Sequence, residues 1–499
     1  MSVIAIDLGT TGCKAAVFDG GAMLGSAYRH YSYHSPEDGW AEQDAEQVWL
    51  LVSATVKEAL ASVAKRPEIA AICVSVQGDA IIPIDLRGAA LHPAILGMDT
   101  RSHREAADLE DRFGRGQLYS ATGMPCEPLN AITKVWWLVR RRPELRTRIW
   151  KYVHYEEFLL MKIAGVPALD FTMASRTMAF DPAAKDWVAP VLDCVGITPS
   201  ELGNVAPPGA PVGIILNAVA DDWGIHRNAL VVTGGHDQCM AALGAGVIDS
   251  DLACYSMGTA EVISTCFDTP RSGPAMLECN YPCYCHVAGD RYFTITLNQS
   301  GGLSLEWFLD LSGAGFPEMA EGLKIEPSLA MFLPHLVGSG TPTCDHRSRG
   351  SFLGLSLKTG RAEMFQAVVD ALAFEARLNV ETLERLDIPI AELRAVGGGS
   401  RQRRILELKA TALNKPIRTL RNPEAALLGA AMLAEVAIGS FPSLEAACEE
   451  CVHFRETIEP RLDAVESYTA AFHRFRQIHG TLKSFYRNWR TECPETVNA

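Results

Sequence analysis

The sequence predicts an α/β protein of two domains, and three observations support this fold class. Apolar runs of strand-like composition alternate along the chain with stretches of helical periodicity, as is typical of α/β proteins. The chain has 499 residues, of which 48% are hydrophobic, and this length exceeds what a single core usually serves. A strand that ends in a glycine-rich turn occurs near the N-terminus, again around residues 234–260 and again at 397–399. Two similar halves that face each other would produce this recurrence.

The periodicity also places individual elements. Apolar residues recur at helical spacing over residues 44–64 and again over 363–386, so each stretch is predicted to be a helix. The predicted strands cover residues 4–7, 71–76, 230–233, 253–256 and 393–396.

The N-terminal stretch, residues 3–19, reads VIAIDLGTTGCKAAVFD and predicts two strands joined by a Gly-Thr-Thr-Gly turn. The backbone N–H groups and hydroxyls of such a turn can hold phosphate oxygens, and Asp7 at the end of the first strand can hold Mg²⁺. The stretch is not a P-loop, which needs a Lys-Ser/Thr pair at the start of a helix. It resembles the first phosphate loop of the actin-like ATPase and sugar kinase superfamily, and an ordinary hairpin is the alternative.

Composition limits the class of partner. The formal net charge of −14 argues against nucleic acid or an anionic membrane as the main partner. No apolar run has the length of a membrane span, since the longest, residues 425–438, is interrupted by Glu435. The 14 cysteines lack the spacing of a zinc site, and reduced thiols are expected. We therefore predict a cytoplasmic enzyme.

Residues 230–246, LVVTGGHDQCMAALGAG, predict a strand, a Gly-Gly turn and a helix of small residues. Asp237 at the start of this helix would project into a crevice, where the helix dipole favours its charge. Such an aspartate can act as general base for a hydroxyl, or it can simply cap the helix. Glycine-rich turns also occur at residues 256–260, 298–302 and 395–400, and together they favour a ligand site.

These motifs identify the chain as similar to the FGGY carbohydrate kinase family over about residues 3–439. The strongest match is to the C-terminal family signature, with GSFLGL at 350–355 and AVVD at 367–370. The core of the N-terminal signature is matched by KVWWL at 134–138. Residues 170–181 resemble the xylulokinase-like members in particular.

The resemblance implies an enzyme that phosphorylates a sugar or polyol hydroxyl with ATP and Mg²⁺. It also implies two domains of RNase H-like, actin-type fold with a deep interdomain cleft. Residues 1–247 would form the N-terminal domain, with the sugar-binding side and the first phosphate loop. Residues 248–499 would form the C-terminal domain, with the nucleotide-binding side.

The same resemblance implies the site residues. Asp237 matches the residue that takes the proton from the acceptor hydroxyl, and Asp7 matches the carboxylate associated with Mg²⁺. The positions that match the family's nucleotide site are Thr10, Thr11 and Lys14 for the β- and γ-phosphates, Gly258 and Thr259 in the opposing phosphate turn, and Gly302, Gly399 and Arg403 for the base and ribose.

Substrate choice depends on two short elements. Xylulokinases carry Gln-Met-His and glycerol kinases Gln-Arg-Glu where this chain has Gln77, Gly78 and Asp79. A Gln-Gly-Asp element also resembles tetritol kinases. At residues 97–101 the family's Trp-Asn-Asp-Gly-Arg is replaced by Gly-Met-Asp-Thr-Arg, in which Asp99 is a predicted substrate contact. The favoured acceptor is a neutral ketopentose or a related short sugar or polyol.

Two alternatives stay open beside this prediction. One is a tetritol or other polyol kinase of the same family, and the other is a non-catalytic actin-like module that binds ATP as a sensor. The expected partners are a small sugar or polyol, ATP and ADP, with no nucleic acid and no membrane. A homodimer is also left open, because the helix predicted over residues 464–490 does not reveal an oligomeric state.

Overall fold

The computed structural model describes residues 1–65 and 67–492. The strands of the N-terminal half are β1 (Ser2–Leu8), β2 (Gly12–Asp19), β3 (Ala22–His30), β4 (Glu42–Gln43), β5 (Ile69–Val76), β6 (Ile82–Ile84), β7 (Ala94–Ile95), β8 (Lys151–Val153), β9 (Ala168–Asp170), β10 (Phe180–Asp181), β11 (Asp186–Trp187), β12 (Asn204–Ala206), β13 (Pro211–Ile214), β14 (Leu230–Val232) and β15 (Gly235–His236). Its helices are α1 (Ala45–Ala61), α2 (His103–Phe113), α3 (Arg115–Thr122), α4 (Ala131–Arg141), α5 (Tyr155–Ala164), α6 (Phe171–Arg176), α7 (Ala189–Val195), α8 (Asn217–Trp223) and α9 (Asp237–Gly244).

The C-terminal half also contains both strands and helices. Its strands are β16 (Leu252–Met257), β17 (Glu261–Phe267), β18 (Tyr284–Cys285), β19 (Tyr292–Ile295), β20 (Met331–Leu333), β21 (Ser351–Leu353), β22 (Glu392–Val396), β23 (Ile417–Leu420) and β24 (Phe454–Ile458). Its helices are α10 (Pro274–Glu278), α11 (Gly301–Ser312), α12 (Phe316–Glu321), α13 (Arg361–Arg385), α14 (Arg403–Leu413), α15 (Ala425–Ala437), α16 (Leu444–Cys451) and α17 (Leu462–Glu492). The last part of the predicted C-terminal domain, residues 493–499, lies outside the described residues.

The first sheet has seven strands in the order β13-β14-β5-β1-β2-β3, with β15 also paired to β5. β1, β2 and β3 are antiparallel neighbours, whereas β5 runs parallel to β1, and β14 and β15 run parallel to β5. The C-terminal ends of β1, β5 and β15 therefore lie at one edge of the sheet. This edge carries Asp7, Gln77 and Asp237, which are far apart in the sequence.

The second sheet repeats this pattern, with the order β18-β19-β17-β16-β22-β23-β24. Antiparallel β16, β17 and β19 are followed by parallel β22 and β23 and by an antiparallel edge strand, β24. β1, β2, β3, β5, β14 and β13 have the same relative directions in the first sheet. The repeat confirms the predicted α/β class with two RNase H-like domains.

Helices α9 and α15 join the two halves. They pack against each other, and α15 also packs against β1 and β5. The two helices can cross closely because Gly244 has no side chain. A Cβ atom on Gly244 would lie 1.8 Å from the backbone oxygen of Ala425. The helix of small residues predicted after the Gly-Gly turn thus forms part of the contact between the two halves.

The individual predicted elements are confirmed, with shifted ends. The helix predicted over residues 44–64 is α1, which is capped by Asp44 and ends earlier, at Ala61. The predicted strands correspond to β1, β5, β14, β16 and β22, and the second predicted helix to α13. In the part of the chain that the structure describes, no helix is both long enough and apolar enough to cross a membrane.

Candidate active site

A polar cavity of about 200 Å³ lies where the ends of β1 and β5 meet the start of α9. It brings together five residues predicted from the sequence, namely Thr10, Gln77, Gly78, Asp79 and Asp237. The remaining lining residues are Leu96, Gly97, Met98, Arg176, His236, Gln238, Val262 and Ile295. Because Val262 and Ile295 belong to β17 and β19, both halves of the chain enclose this cavity.

Hydrogen bonds from neighbouring side chains stabilise the turn after β5, residues 77–79. Thr10 Oγ1 donates a hydrogen bond to Gln77 Oε1 (3.1 Å), which joins the first hairpin turn to this one. Lys134, fully buried on α4, donates from Nζ to the backbone oxygens of Asp79 (2.9 Å) and Gly97 (3.3 Å). Burial lowers the pKa of Lys134 to about 8. Asp79 has a φ of +63°, a left-handed conformation that is uncommon for a residue with a side chain and that these contacts stabilise.

Asp79 forms a buried ion pair with Arg176, a residue that the sequence analysis did not select. Oδ2 of Asp79 accepts hydrogen bonds from Nε (3.1 Å) and Nη2 of Arg176. Oδ1 of Asp79 is buried and has no hydrogen-bond partner among the described residues. Arg176 is the last residue of α6, whose N-terminus is capped by Asp170. The available sequence signal was a lone charged residue in FTMASR, residues 171–176.

Asp237 is the first residue of α9 and lines the polar cavity. His236 occupies the N-cap position without a side-chain capping hydrogen bond, and Asp237 is the first helical residue. Burial, together with the negative charge of Asp7, raises the pKa of Asp237 to about 7, against the lowering effect of Arg176. His236 Nε2 lies 3.3 Å from Asp237 Oδ1, and burial lowers the pKa of His236, which keeps the imidazole neutral. A carboxylate with a pKa near neutrality is suited to accept a proton.

Asp7 lies near the end of β1, where Ser75 Oγ donates a hydrogen bond to its Oδ1 (2.7 Å). Burial raises the pKa of Asp7, and its charge acts on Asp237. Among residues 1–65 and 67–492, no group of three or more His, Cys, Asp and Glu side chains could hold a metal ion. Mg²⁺ commonly takes one or two protein carboxylates and completes its shell with water and phosphate oxygens. Asp7 is not among the residues that line the polar cavity, but its carboxyl group is close enough to Asp237 to affect the pKa of that residue, and one carboxylate at this place could hold Mg²⁺.

A second, mostly apolar cavity of about 410 Å³ lies in the C-terminal half. It contains four residues that were predicted to bind nucleotide, namely Gly258, Thr259, Gly302 and Gly399. Its walls are formed by Leu305, Leu309, Phe316, Val369, Leu372 and Ile405. Sequence reasoning missed a buried pair at this cavity, in which Lys409 Nζ donates to Glu261 Oε1 (2.5 Å) and to Tyr255 Oη (2.6 Å). A concave apolar pocket with few polar groups suits a nucleotide base.

Asp99 does not line the polar cavity, although the sequence predicted a substrate contact there. It is completely buried and accepts hydrogen bonds from Arg101 Nε at 2.9 Å and 3.0 Å. The Arg101 guanidinium in turn lies 3.7 Å from the centroid of the Trp40 ring. The cavity is lined instead by Gly97 and Met98, the two residues before Asp99.

Three residues predicted to bind nucleotide lie outside the lining of both cavities. Thr11 is exposed in the turn between β1 and β2. Lys14, on β2, forms an ion pair with Glu424 of the C-terminal half. The side chain of Arg403 is 64% exposed and lies 3.1 Å from Glu407. Their contacts with a nucleotide stay predictions.

The arrangement as a whole can transfer a group between two bound molecules. The polar cavity offers a partly buried base and hydrogen-bonding groups for a small hydroxylated ligand. The apolar cavity has glycine turns at its edge and space for a base. Transfer of a phosphoryl group needs this kind of positioning, with charge neutralisation, more than it needs a covalent intermediate.

Comparison with known proteins gives matches along most of the chain. The family model for the N-terminal domain of the FGGY family of carbohydrate kinases matches residues 2–244, and that for the C-terminal domain matches residues 254–438. A xylulose kinase from Staphylococcus epidermidis is 26% identical over 492 residues, which cover 96% of this chain and 97% of the relative. A gluconokinase from Bacillus subtilis is 25% identical over 507 residues, which cover 97% of this chain and 96% of the relative. The crystal structure of a ligand-bound xylulose kinase from Lactobacillus acidophilus has the same fold, with a TM-score of 0.91 at 24% identity over 98% of this chain and 99% of that one.

Proposed function

Because the chain belongs to the FGGY family of carbohydrate kinases and phosphorylates a carbohydrate hydroxyl with ATP, we propose that its acceptor is a neutral short sugar or polyol. A ketopentose is the favoured member of this class, since the similarity to xylulose kinases extends over almost the whole chain. The observation that carries the proposal is the meeting of Asp237 with the Asp79–Arg176 ion pair in one cavity of about 200 Å³. A cavity of this size suits a small sugar better than an oligosaccharide.

The charges of the polar cavity favour a neutral acceptor. Asp79 and Asp237 contribute two carboxyl groups, and Arg176 contributes one guanidinium whose charge Asp79 balances. Hydroxyl groups can donate hydrogen bonds to these carboxylates, whereas the carboxylate of an aldonate would be repelled by them. A neutral sugar or polyol should therefore be phosphorylated faster than the corresponding aldonate.

In the proposed mechanism, Asp237 accepts the proton of the acceptor hydroxyl while the hydroxyl oxygen attacks the γ-phosphorus of ATP. A new oxygen–phosphorus bond forms, the bond to the oxygen that bridges the β- and γ-phosphates breaks, and ADP leaves. Thr10 on one side and Gly258 and Thr259 on the other would hold the phosphates through N–H and hydroxyl groups. Mg²⁺ held by Asp7 would neutralise part of the phosphate charge. Closure of the two halves would exclude water from the transfer.

The remaining assignments are also proposals. We divide the chain into a domain of residues 1–247 on the acceptor side and a domain of residues 248–499 on the nucleotide side. The homodimer and the cytoplasmic location stay predictions. The alternative of a non-catalytic ATP-binding sensor is not favoured, because the similarity to kinases is continuous along the chain.

A coupled assay of ADP release over ketoses, aldoses, polyols and aldonates tests the proposed acceptor. We expect the highest kcat/KM with a ketopentose or another neutral compound of similar length, and an Asp237→Asn variant should abolish most of this signal. A tetritol as the best acceptor would support the polyol alternative within the same family. An aldonate as the best acceptor would overturn the proposal of a neutral substrate.

A further inference from the structure

We propose that Arg176 and Asp79 act as one recognition unit that determines acceptor specificity, with Arg176 donating a hydrogen bond to one acceptor hydroxyl and Asp79 accepting one from the neighbouring hydroxyl. This inference rests on the proposed function and deepens it. It requires that the acceptor carry two adjacent hydroxyl groups next to the hydroxyl that is phosphorylated. Arg176 has no other role in the proposed mechanism.

The unit has one donor group and one acceptor atom outside its own ion pair. The hydrogen bonds between the two side chains use Nε and Nη2 of Arg176 and only Oδ2 of Asp79. Oδ1 of Asp79 is buried and has no partner among the described residues, and both side chains line the polar cavity. A buried carboxylate oxygen without a donor is unfavourable, and a ligand hydroxyl would satisfy it. Nη1 of Arg176 can donate to the oxygen of an adjacent hydroxyl.

The backbone around the pair leaves room for the guanidinium. A Cβ atom on Gly78 would lie 2.8 Å from Nε of Arg176 and 2.9 Å from Nε2 of His236. Residue 78 must therefore be glycine for Arg176 to reach Asp79 in this position. The Arg176 side chain thus lies where the turn after β5, the end of α6 and the residue before α9 come together.

Burial makes a purely stabilising role for the pair a poor explanation. Only 13% of the Arg176 side chain and 6% of the Asp79 side chain are exposed. Removing two charges from water costs free energy that the attraction between them often does not exceed. Asp79 in addition adopts a left-handed backbone conformation. A recognition role accounts for a buried, strained and incompletely satisfied ion pair at the cavity wall.

The charge of Arg176 also acts on Asp237. The titratable and charged groups that face Asp237 are Asp7 on β1, Asp79 after β5, Arg176 on α6, His236 before α9, Cys239 on α9 and Tyr284 on β18. Burial lowers the pKa of His236 and raises the pKa of Tyr284, so both are neutral. Of these described groups, Arg176 is therefore the one that carries a positive charge. Its removal should raise the pKa of Asp237 above about 7.

The test compares Arg176→Met, which removes the charge, with Arg176→Lys, which keeps the charge but loses the planar fork. Arg176 lies over the Tyr284 ring, 5.5 Å from its centroid. Arg140→Met is the matched control, because Arg140 lies over the Trp136 ring, 3.7 Å from its centroid, but outside both cavities. Each variant is assayed with a ketopentose and its monodeoxy analogues, with ATP varied separately, and over a range of pH. Circular dichroism and thermal melting check the fold.

We expect Arg176→Met to lower kcat/KM for the ketopentose by about tenfold to a hundredfold and to reduce its preference over the monodeoxy analogues, with KM for ATP nearly unchanged. The acid limb of its kcat/KM profile should move to higher pH. Arg176→Lys should return the acid limb to its wild-type position, because the charge is kept, but it should not restore the preference for the ketopentose over its monodeoxy analogues. If Arg176→Met does not fold, Arg176→Lys provides the test. Folded variants that keep the wild-type preference for the ketopentose over its monodeoxy analogues would overturn the inference, whatever the position of the acid limb. A wild-type enzyme that phosphorylates no neutral sugar or polyol would instead overturn the proposed function.

Discussion

Replacement of Asp237 by asparagine is the sharpest test of the proposed base. Asparagine keeps the size and polarity of the side chain but cannot accept a proton from the acceptor hydroxyl. The wild-type carboxyl group is well matched to this task, because burial and the charge of Asp7 raise its pKa from the ordinary value of 3.8 to about 7. Its position at the first residue of α9 places it in the lining of the polar cavity.

The magnitude follows from the usual contribution of general base catalysis. A positioned base contributes roughly 10² to 10⁴ to the rate, so kcat of Asp237→Asn should fall by that factor. At about 1.4 kcal/mol for each factor of ten, this corresponds to about 3 to 6 kcal/mol in the activation free energy. The KM values should change only modestly, because hydrogen bonds to the amide oxygen survive.

The assay is steady-state ADP release with saturating Mg·ATP, measured against pH. In the wild-type enzyme, kcat/KM should fall as the pH falls through about 7, because protonated Asp237 cannot act as a base. Asp237→Asn should lose this limb together with its activity. Asp370→Asn is the matched control, since burial raises the pKa of Asp370 to about 7 as well but this residue lines neither cavity.

Two results would refute the reasoning. One is near-normal turnover by a folded Asp237→Asn variant, which would mean that another group removes the proton. The other is an equal loss of activity in a folded Asp370→Asn variant, which would mean that loss of any buried carboxyl group reduces turnover. Thermal melting of both variants separates these results from simple unfolding.

Three further predictions concern the residues around the base. Asp7→Ala should weaken turnover that depends on Mg²⁺ while calorimetry still detects acceptor binding without nucleotide, and loss of acceptor binding with intact Mg·ATP binding would contradict the role of Asp7. Asp79→Ala should lower kcat/KM for the acceptor by about tenfold to a hundredfold, equivalent to about 1.5 to 3 kcal/mol, with little change in KM for ATP, and wild-type kinetics would show that Asp79 does not contact the acceptor. Lys134→Met should lower the melting temperature and raise KM for the acceptor, because Nζ holds the backbone oxygens of Asp79 and Gly97, and an unchanged KM in the folded protein would show that this contact does not position the cavity.

Local sequence patterns were sufficient for the elements that carry the chemistry. The apolar runs on either side of the Gly-Thr-Thr-Gly turn predicted β1 and β2, which pair as an antiparallel hairpin. The Gly-Gly turn before a run of small residues predicted α9 with Asp237 at its start. These features depend on neighbours in the chain, so a short window contains the physical information that determines them.

The composition of the polar cavity required the tertiary structure. Asp99 follows Gly97 and Met98 directly, yet its side chain turns away from the cavity into a completely buried ion pair with Arg101. Arg176 comes from α6, 97 positions after the carboxylate that it binds. A one-dimensional pattern does not reveal which way a loop side chain turns or which distant charge it meets.

The sequence by itself determined the α/β class, the order of the strands that end in glycine turns, and the kind of residue available at each turn. Only the tertiary structure decided which of these residues share a cavity, which charge compensates which, and how far burial raises the pKa of Asp237. The physical reason is that secondary structure follows from local backbone and side-chain preferences, whereas ion pairing and desolvation depend on the distances between groups that the packing of two sheets and their helices brings together.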